Sequence, residues 1–339
     1  MRKDLKLMLI VNGLIVLFLI TQVFDLMTLL IDDSFKDAIV ESELTPVKYT
    51  KQADGEETPD RKLIVPKIIH QTYKNETIPE PWLAPQKSVR DLHPDFEYIL
   101  WTDETARNFI KEHYDWFLPT YDNYPYPIMR ADVMRYFILY HYGGVYIDLD
   151  NGCDFRIDPL LAFPAWLRKT VPTGVSNDIM GAVPKHPFFL YVIDNLQRYN
   201  HNWLVSYITI MYSTGPLMLS VVWKRYKRWG VPNGGQVRIL VPPDHKTHMT
   251  YFFFTAQGSS WHLGDAKFIM SMGKHWIFYT FLGTALVISV FYLQFKFYQF
   301  LLSGSFTRFY RKSLRRLFPN SQYKDPQEDG QYELVPGEV

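Results

Sequence analysis

Two aspartates separated by one residue, Asp148 and Asp150, are the side chains of this sequence best placed to do chemistry. They follow a Gly-Gly pair and the apolar run 145–147, which predicts a short buried strand. Ligands of open α/β sheets collect beyond the carboxyl ends of strands. Two carboxylates there can converge on one hard cation, Mg²⁺ or Mn²⁺, that bridges a donor's diphosphate and assists its departure. Surface turns often contain Asp-x-Asp, so the motif alone is weak evidence. The prediction of a metal site depends on the buried strand that precedes it.

The segments around the two aspartates alternate between strand and helix patterns. Strands are predicted at 67–70 and 98–101, and helices at 103–114 and 130–142. Residues 85–92 form a further candidate helix. Alternation of this kind is typical of an α/β domain with a mostly parallel sheet.

Other polar residues are candidates for the same site on weaker grounds. Asp132 and Arg135 lie three apart on one predicted helix face and are equally well explained as a surface ion pair. A histidine such as His262 is more often structural, although the Ser-Ser-Trp before it favours a metal ligand. Asn177 and Asp178 could face a sugar or an acceptor, and loop polarity explains them nearly as well.

The composition excludes some classes of partner. Across 339 residues the formal net charge is only +1, so no nucleic-acid partner is expected. The single cysteine, Cys153, excludes an intrachain disulfide and is predicted to be a buried small hydrophobe. Aromatic residues form 17% of the chain, which suits membrane interfaces and sugar-binding clefts equally.

Two long apolar runs predict transmembrane helices on either side of the α/β domain. The first, 7–31, follows a basic tail at 1–6 and lacks a small-residue cleavage site, which favours an uncleaved signal anchor. The second, 275–296, has aromatic residues near its ends and basic residues beyond it. The positive-inside rule then places both termini in the cytosol and the residues between the spans in the secretory lumen.

The predicted domain organisation follows from these spans. Residues 32–62 are polar and contain prolines and a glycine, which indicates a stalk. Residues 63–274 form the lumenal catalytic domain, and 297–339 form a basic, then acidic, cytosolic tail. Asn75 begins a glycosylation sequon on the lumenal side, which is weak support for this topology.

The run 203–223 also lacks charge and has the length of a span. Gly215, Pro216 and several hydroxyl residues interrupt its apolar character. A span there would place the residues after it across the membrane from Asp148, although His262 is a candidate for the same site. The sequence therefore favours a buried or membrane-leaning helical segment.

At this point two stretches carry a family resemblance. Residues 130–136 (RADVMRY) and 142–150 (YGGVYIDLD) resemble the core signature of the glycosyltransferase family with a DXD sugar-binding motif. Residues 65–74 and 100–103 are similar to the family's first two strands. Within the family, the subgroup resembled is the catalytic subunit of mannosyl inositol phosphorylceramide synthases, through the flanking membrane segments and residues 213–216 and 258–266.

This resemblance implies a GT-A-type nucleotide-sugar-binding domain and gives roles to residues at matching positions. Asp150 and His262 would ligate the metal, and Asp148 would contact the ribose or the metal through water. Asp132 and Arg135 would hold the donor sugar, so these five residues form the implied catalytic set. The remaining implied donor contacts are His70, Gln71, Tyr73, Tyr146, Ser260 and Trp261. For Tyr146, packing of the sheet is an alternative.

The resemblance also implies the substrates and the location. The donor would be GDP-mannose, the acceptor inositol phosphorylceramide and the outcome retention of configuration, in a Golgi or ER/Golgi membrane with a multi-pass regulatory subunit. Anchors at both ends would keep the cleft near the bilayer, where a lipid headgroup is reached. Two alternatives stay open: a Golgi mannosyltransferase for glycoprotein glycans, which usually lacks a second span, and a non-catalytic membrane subunit.

Overall fold

The fold is described from a computed structural model, which covers residues 3–51, 57–170, 173–241, 252–256 and 271–302. The strands are β1 (Tyr49–Lys51), β2 (Glu57–Pro59), β3 (Ile68–Thr72), β4 (Glu97–Trp101), β5 (Gly144–Ile147), β6 (Asn151–Cys153), β7 (Ala165–Lys169), β8 (Val175–Ala182), β9 (Arg238–Leu240) and β10 (Phe253–Thr255). The helices are α1 (Lys3–Met27), α2 (Glu80–Leu92), α3 (Asp103–His113), α4 (Leu118–Asp122), α5 (Pro127–Tyr142), α6 (Pro187–Tyr199), α7 (Ser206–Ser213), α8 (Pro216–Arg228) and α9 (Trp276–Leu302). The chain divides into two compact units, Val23–Ser271 and Met1–Gln22 with Met272–Val339.

A six-stranded sheet in the order β4-β3-β5-β8-β7-β9 organises the larger unit. The pairs β3–β4, β3–β5 and β7–β9 are parallel, and β8 is antiparallel to both of its neighbours. Five strands therefore share one direction, which confirms the prediction of a mostly parallel α/β sheet. The carboxyl ends of β3, β4 and β5 meet at one edge. The amino-terminal half of β8 reaches the same edge because this strand is reversed.

Helix α5 is the buried centre of the larger unit. It packs on β3, β5 and β8 and against α6, and its predicted core positions Val133, Phe137 and Ile138 are fully buried. Asp132 and Arg135 on the same helix are only 4% and 3% exposed. This burial excludes the alternative that the two residues form an ion pair on the protein surface. Charged side chains are buried this deeply only when they are paired, so Asp132 and Arg135 must have partners inside the domain.

Most of residues 203–223 belong to two helices, α7 and α8, that pack against each other and against α6. α7 ends at Ser213, and Gly215 precedes Pro216, the first residue of α8. Proline fits the first helical turn, where its missing N–H is not needed. Val221, Val222 and Trp223 are buried, whereas Trp203, Leu204 and Ile208 are exposed. The carboxyl-terminal part of the segment is therefore buried in the domain, and its amino-terminal part is not. Cys153 is 2% exposed, as predicted for a small hydrophobe.

The segment predicted as a stalk, 32–62, instead contacts the domain through its described residues. Ile39 is 2% exposed and its N–H donates to the Ile239 carbonyl of β9. Glu43 pairs with Arg238 at 2.6 Å. This part of the chain covers the outer edge of the sheet, which would otherwise present unpaired backbone groups. Its polar composition resembles a linker because few of its side chains are needed to make these contacts.

The membrane segments are supported in part. Within the described residues, one helix, Trp276–Leu301, is long and apolar enough to span a bilayer. The amino-terminal region qualifies only if Lys6–Thr21 and Val23–Leu30 are counted together as one span. In the smaller unit, Asn12 and Gln294 exchange two side-chain amide hydrogen bonds of 3.1 and 3.0 Å. Polar pairs of this kind hold helices together in apolar surroundings.

Gly144, at the start of β5, is required by the approach of its neighbour strand. Its φ is +90°, and a Cβ there would lie 2.6 Å from the Ile68 carbonyl oxygen of β3. We expect Gly144→Ala to combine the cost of a left-handed residue, roughly 1–2 kcal/mol, with a further ~1–3 kcal/mol of overpacking. Unfolding of the detergent-solubilised protein would measure it. Gly234→Ala is the matched control, because φ is +76° there but no atom lies within 4 Å. Equal losses for the two variants would contradict this account.

Candidate active site

A cavity of about 520 Å³ opens at the edge of the sheet where β3, β4 and β5 end. Arg135, Asp148 and Asp150 line its polar side. Five aromatic residues from several elements form part of its other walls: Tyr73, Trp82, Trp101, Tyr121 and Tyr126. The cavity therefore combines a charged floor with flat apolar surfaces, an arrangement that suits a ligand carrying both phosphate and ring systems.

A buried network of ion pairs lies beneath the charged floor. The Arg135 guanidinium contacts Asp132 Oδ1 at 3.2 Å and Asp148 Oδ2 at 3.2 Å. It also donates to the Asn177 carbonyl at 2.6 Å and lies 4.6 Å from the centre of the Tyr146 ring. These partners raise the pKa of Arg135 although its burial opposes this. Arg135 is thus a fixed positive charge that reaches the cavity from α5.

Asp132 lies behind Arg135 and is enclosed by hydrogen-bond donors. Asn177 Nδ2 donates to its Oδ1 at 2.9 Å, and Thr214 Oγ1 donates to its Oδ2 at 3.0 Å. Tyr136 completes the network, since its hydroxyl accepts from Asn177 and donates to the Thr214 carbonyl. Burial raises the pKa of Asp132 to about 6, against the effect of Arg135 and of these donors. Asp132 does not line the cavity, so its position is that of a support for Arg135.

Asp148 and Asp150 stand in different surroundings at the end of β5. Asp148 accepts from the Tyr146 hydroxyl at 2.6 Å and from Arg135, and its N–H donates to the Asp178 carbonyl. Asp150 accepts a 3.0 Å hydrogen bond from Asn151 Nδ2 and has no arginine contact among the described residues. Burial and the carboxylates of Asp148 and Asp178 raise the pKa of Asp150 to about 6. Negative charge is therefore concentrated where Asp150 meets the cavity.

This donor set fits a hard divalent cation. Asp148 and Asp150, two of the three carboxylates that line the cavity, stand together at the end of β5, and the described residues contain no group of three or more candidate ligands. Mg²⁺ is commonly held by one or two carboxylates together with substrate phosphates, without an all-protein cage. The repulsion that raises the pKa of Asp150 is the kind that a bound cation relieves. The site suits metal binding jointly with a phosphate ligand.

Of the three predicted donor contacts in and just after β3, one faces the cavity and two do not. Tyr73 lines the cavity. His70 is fully buried, with its ring bonded to the Gly143 carbonyl and to Trp101 Nε1, and burial lowers its pKa to about 4. Gln71 is also fully buried and accepts from the Tyr98 hydroxyl. His70 and Gln71 therefore stabilise the sheet below the cavity and do not line it. Both belong to the interior of β3, which other elements cover on both faces.

Other predicted residues lie around the network or outside the described region. Tyr146 is fully buried and orients Asp148, so it supports the floor from below. Asn177 and Asp178 belong to strand β8 and not to a loop; Asn177 bonds Asp132, and Asp178 pairs with Arg168 at 3.0 Å. Three predicted residues, Ser260, Trp261 and His262, lie outside the described residues. Asn75 is exposed, as a glycosylation acceptor must be.

The sequence interpretation missed much of the cavity lining. Trp82, Asp103, Tyr121, Tyr126 and Ile210 all face it. The rule that drew attention to Asp148, namely a polar residue at the carboxyl end of a strand, also applies to Asp103, the second residue after β4. The aromatic residues carry no such local signal, because α2, α4 and the start of α5 bring them in from separate parts of the chain.

Comparison with known proteins now gives this site a family. The glycosyltransferase sugar-binding region containing a DXD motif matches residues 79–166. The chain is 53% identical over 307 residues to mannosyl phosphorylinositol ceramide synthase SUR1 of Saccharomyces cerevisiae, covering 91% of this chain and 78% of that one. It is 50% identical over 327 residues to CSH1, named as the same synthase in that yeast, covering 96% and 86%. Inositol phosphoceramide mannosyltransferase 3 of Schizosaccharomyces pombe is 50% identical over 234 residues, covering 68% and 65%.

The fold and the site together define a glycosyltransferase of the DXD type. Among solved structures, the PaToxG glycosyltransferase is similar at 16% identity and a TM-score of 0.36, covering 48% of this chain and 70% of that one, which is too distant to carry an argument. The extent and identity of the yeast matches are decisive. The chain belongs to the family of mannosyl phosphorylinositol ceramide synthases, which confirms the resemblance seen in residues 130–136 and 142–150.

Tyr146→Phe tests whether the buried floor positions the carboxylates. The variant keeps the ring beneath Arg135 but removes the hydroxyl that hydrogen bonds to Asp148 and Thr72. Loss of a partner that orients a metal ligand typically costs roughly 10–100-fold in metal affinity or activity, so we expect a rise in the metal concentration for half-maximal transfer at wild-type yield. The control is Tyr124→Phe, because the buried Tyr124 hydroxyl has no hydrogen-bond partner within the described chain. Matching metal titrations for the two variants would exclude the positioning role.

Proposed function

We propose that this protein transfers mannose from GDP-mannose to the inositol headgroup of inositol phosphorylceramide, with retention of configuration, in sphingolipid synthesis. The observation that carries the proposal is the high identity, over most of the chain, to proteins named for making mannosylated inositol phosphoceramide. The ion pairs that link Asp132, Arg135 and Asp148, together with Asp150 at the cavity, argue against a non-catalytic subunit. The lipid-directed names also favour this acceptor over glycoprotein glycans.

The proposed mechanism assigns separate tasks to the residues of the floor. Asp150, with Asp148 behind it, holds the cation, Mn²⁺ or Mg²⁺; when bound, the ion supplies Lewis-acid stabilisation of the departing diphosphate. Arg135 faces the donor sugar or its phosphate, and Asp132 keeps Arg135 oriented. His262 is proposed as a later metal ligand, with Ser260 and Trp261 at the diphosphate. We infer front-face attack by the inositol hydroxyl, whose proton passes to the leaving phosphate.

We further infer a Golgi membrane location with the domain at 63–274 in the lumen and both termini in the cytosol. The apolar helix at Trp276–Leu301 and the amide pair that joins Asn12 to Gln294 support two neighbouring spans. The exposed Asn75 is then available for glycosylation. The family resemblance supports a multi-pass regulatory subunit as a further partner in the membrane.

Asp150→Ala tests the proposed activity. Membranes containing the full-length protein are supplied with labelled GDP-mannose and Mn²⁺, with or without inositol phosphorylceramide, and the labelled lipid is measured. We expect transfer to the lipid for wild type and a loss of at least ~100-fold for Asp150→Ala, because a direct metal ligand is removed.

Asp154→Ala is the matched control for that assay, since Asp154 is exposed, lies four residues further on and does not line the cavity. It should retain wild-type transfer. Label in glycoprotein glycans instead of lipid would replace the proposed acceptor. Activity of Asp150→Ala near that of Asp154→Ala at saturating metal would remove Asp150 from the metal site.

The proposed topology can be tested with glycosylation tags. A tag inserted at residue 50 should be modified, since that residue would lie in the lumen, and a tag at residue 330 should remain unmodified. Endoglycosidase-sensitive shifts in gel mobility give the measurement. Modification at 330 would show that the second span is missing or inverted.

A further inference from the structure

The loop before α7 holds a leucine in solvent in a strained backbone conformation. Leu204 is 98% exposed, and its φ of +64° lies in the left-handed region, where a bulky side chain is rarely found. Hydrogen bonds fix this conformation: the Trp203 N–H donates to Thr209 Oγ1 at 3.0 Å, and the Leu204 N–H donates to Asn202 Oδ1 at 3.1 Å. Strain and apolar exposure that are held in place together are typical of a contact surface.

The end of the first apolar run lies on the same unit as this loop. Residues 23–31 belong to the larger unit, and a short 3₁₀ turn within them packs against α8. Leu29 is buried there, and the Lys224 ammonium donates to the Ile31 carbonyl at 2.7 Å. Phe24 stays exposed. Because the first predicted span ends in this segment, this side of the domain faces the bilayer in the proposed topology.

A row of contacts joins that segment to the loop before α7. The Asp25 carboxylate lies 3.7 Å from Arg225, whose guanidinium donates to the Tyr199 hydroxyl at 3.2 Å. The Tyr212 ring packs at 5.5 Å, between ring centres, from both Tyr199 and Trp203. The loop therefore borders the same side of the domain as the end of the first apolar run.

Aromatic and basic residues complete this side of the domain. Trp229 directly follows α8 and is 75% exposed. Arg228 lies over the Phe24 ring, 4.9 Å from its centre, and pairs with Asp25 at 3.1 Å. Arg225 contacts the same carboxylate, so two guanidinium groups share one negative charge. Exposed tryptophan beside apolar residues and excess positive charge is the composition of a lipid interface, where lipid phosphates are within reach.

We propose that the loop at 203–205 inserts Trp203 and Leu204 into the adjoining bilayer leaflet, and that α7 carries this contact to the cavity. Fluid lipid accepts a protruding tip, whereas a protein partner would need a matching pocket. Ile210, in the second turn of α7, lines the cavity about 6 Å along the helix axis from the first residue of α7. The bilayer contact thus keeps the cavity within reach of a lipid headgroup. This inference rests on the proposed membrane location.

A fluorescent label at the loop tests the contact directly. Cys153 is the single cysteine and is buried, so a cysteine introduced at an exposed position can be labelled selectively. The full-length protein would be placed in nanodiscs whose lipids carry a nitroxide quencher. We expect a label on Leu204→Cys to show blue-shifted emission and to lose most of its intensity to the quencher. Leu286→Cys in α9 is the positive control, and Leu83→Cys, an exposed leucine on α2, should stay unquenched.

The controls separate the ways in which this inference can fail. Quenching at residue 286 but not at residue 204 would overturn the bilayer contact alone. Absence of quenching at both would overturn the proposed membrane location and this inference with it. Equal quenching at residues 83 and 204 would also overturn the contact, because the label itself would then seek lipid. A blue shift at residue 204 without quenching would assign the surface to a protein partner or a second copy instead.

Leu204→Gly tests whether the strain serves lipid access. Glycine adopts a positive φ without steric cost, so we expect a higher midpoint of thermal unfolding. The apparent KM for the lipid acceptor in bilayers should nevertheless rise up to roughly 10-fold, with the KM for GDP-mannose unchanged, because a leucine contact with lipid is lost. Lys185→Gly is the matched control, since Lys185 is exposed at a φ of +58° in another loop. It should gain stability without a change in either KM. The same lipid KM for both variants would contradict the role of Leu204.

Discussion

The buried position of the Arg135 guanidinium is the constraint on which the rest of this structure depends. A charge that is 3% exposed is stable only if opposite charges and hydrogen bonds surround it. Here they come from its own helix through Asp132, from the end of β5 through Asp148, and from the backbone of β8 through Asn177. Three elements distant in sequence must therefore meet at one point. That meeting point is the floor of the cavity. The contacts that assemble the core therefore also position the residues of the site.

Two features of the topology serve this meeting. The reversal of β8 brings its amino-terminal half, with Asn177 and Asp178, beside the carboxyl end of β5; a parallel strand would have placed these residues at the opposite edge. The break between α7 and α8 frees Thr214, whose hydroxyl donates to Asp132 and whose carbonyl accepts from Tyr136. An uninterrupted helix through this point would hold the Thr214 carbonyl in its own backbone ladder. The Ser-Thr-Gly-Pro stretch at 213–216 thus has a structural reason in the site.

The sequence predicted the parts of this architecture that have a local signal. The α/β alternation, the strand before Asp148 and the helical character of 203–223 follow from periodicity and from glycine and proline positions over short distances. The burial of Asp132 and Arg135 could not be read locally, because a helix buried on every face and a surface helix can both carry an i, i+3 ion pair. The family resemblance implied a donor contact for His70, yet β3 is covered on both faces, so His70 and Gln71 are both buried in the sheet interior. The polar segment at 32–62 looked like a stalk because edge-covering chains make most of their contacts through backbone groups and a few side chains.

The two aspartates of the motif are unequal for a reason that lies in this network. Asp148 is held by Tyr146 and Arg135, and its backbone is tied to β8, so it has little freedom to follow a moving ligand. Asp150 lacks the direct arginine contact that Asp148 has, and burial beside two other carboxylates raises its pKa to about 6. Burial raises the pKa of Asp148 as well, but Arg135 and the Tyr146 hydroxyl partly offset this effect. Asp150 has no such contact, so it would gain more from a nearby cation. In the proposed mechanism, metal binding would therefore centre on Asp150, and Asp148 would connect the rigid buried floor to the reacting end of the cavity.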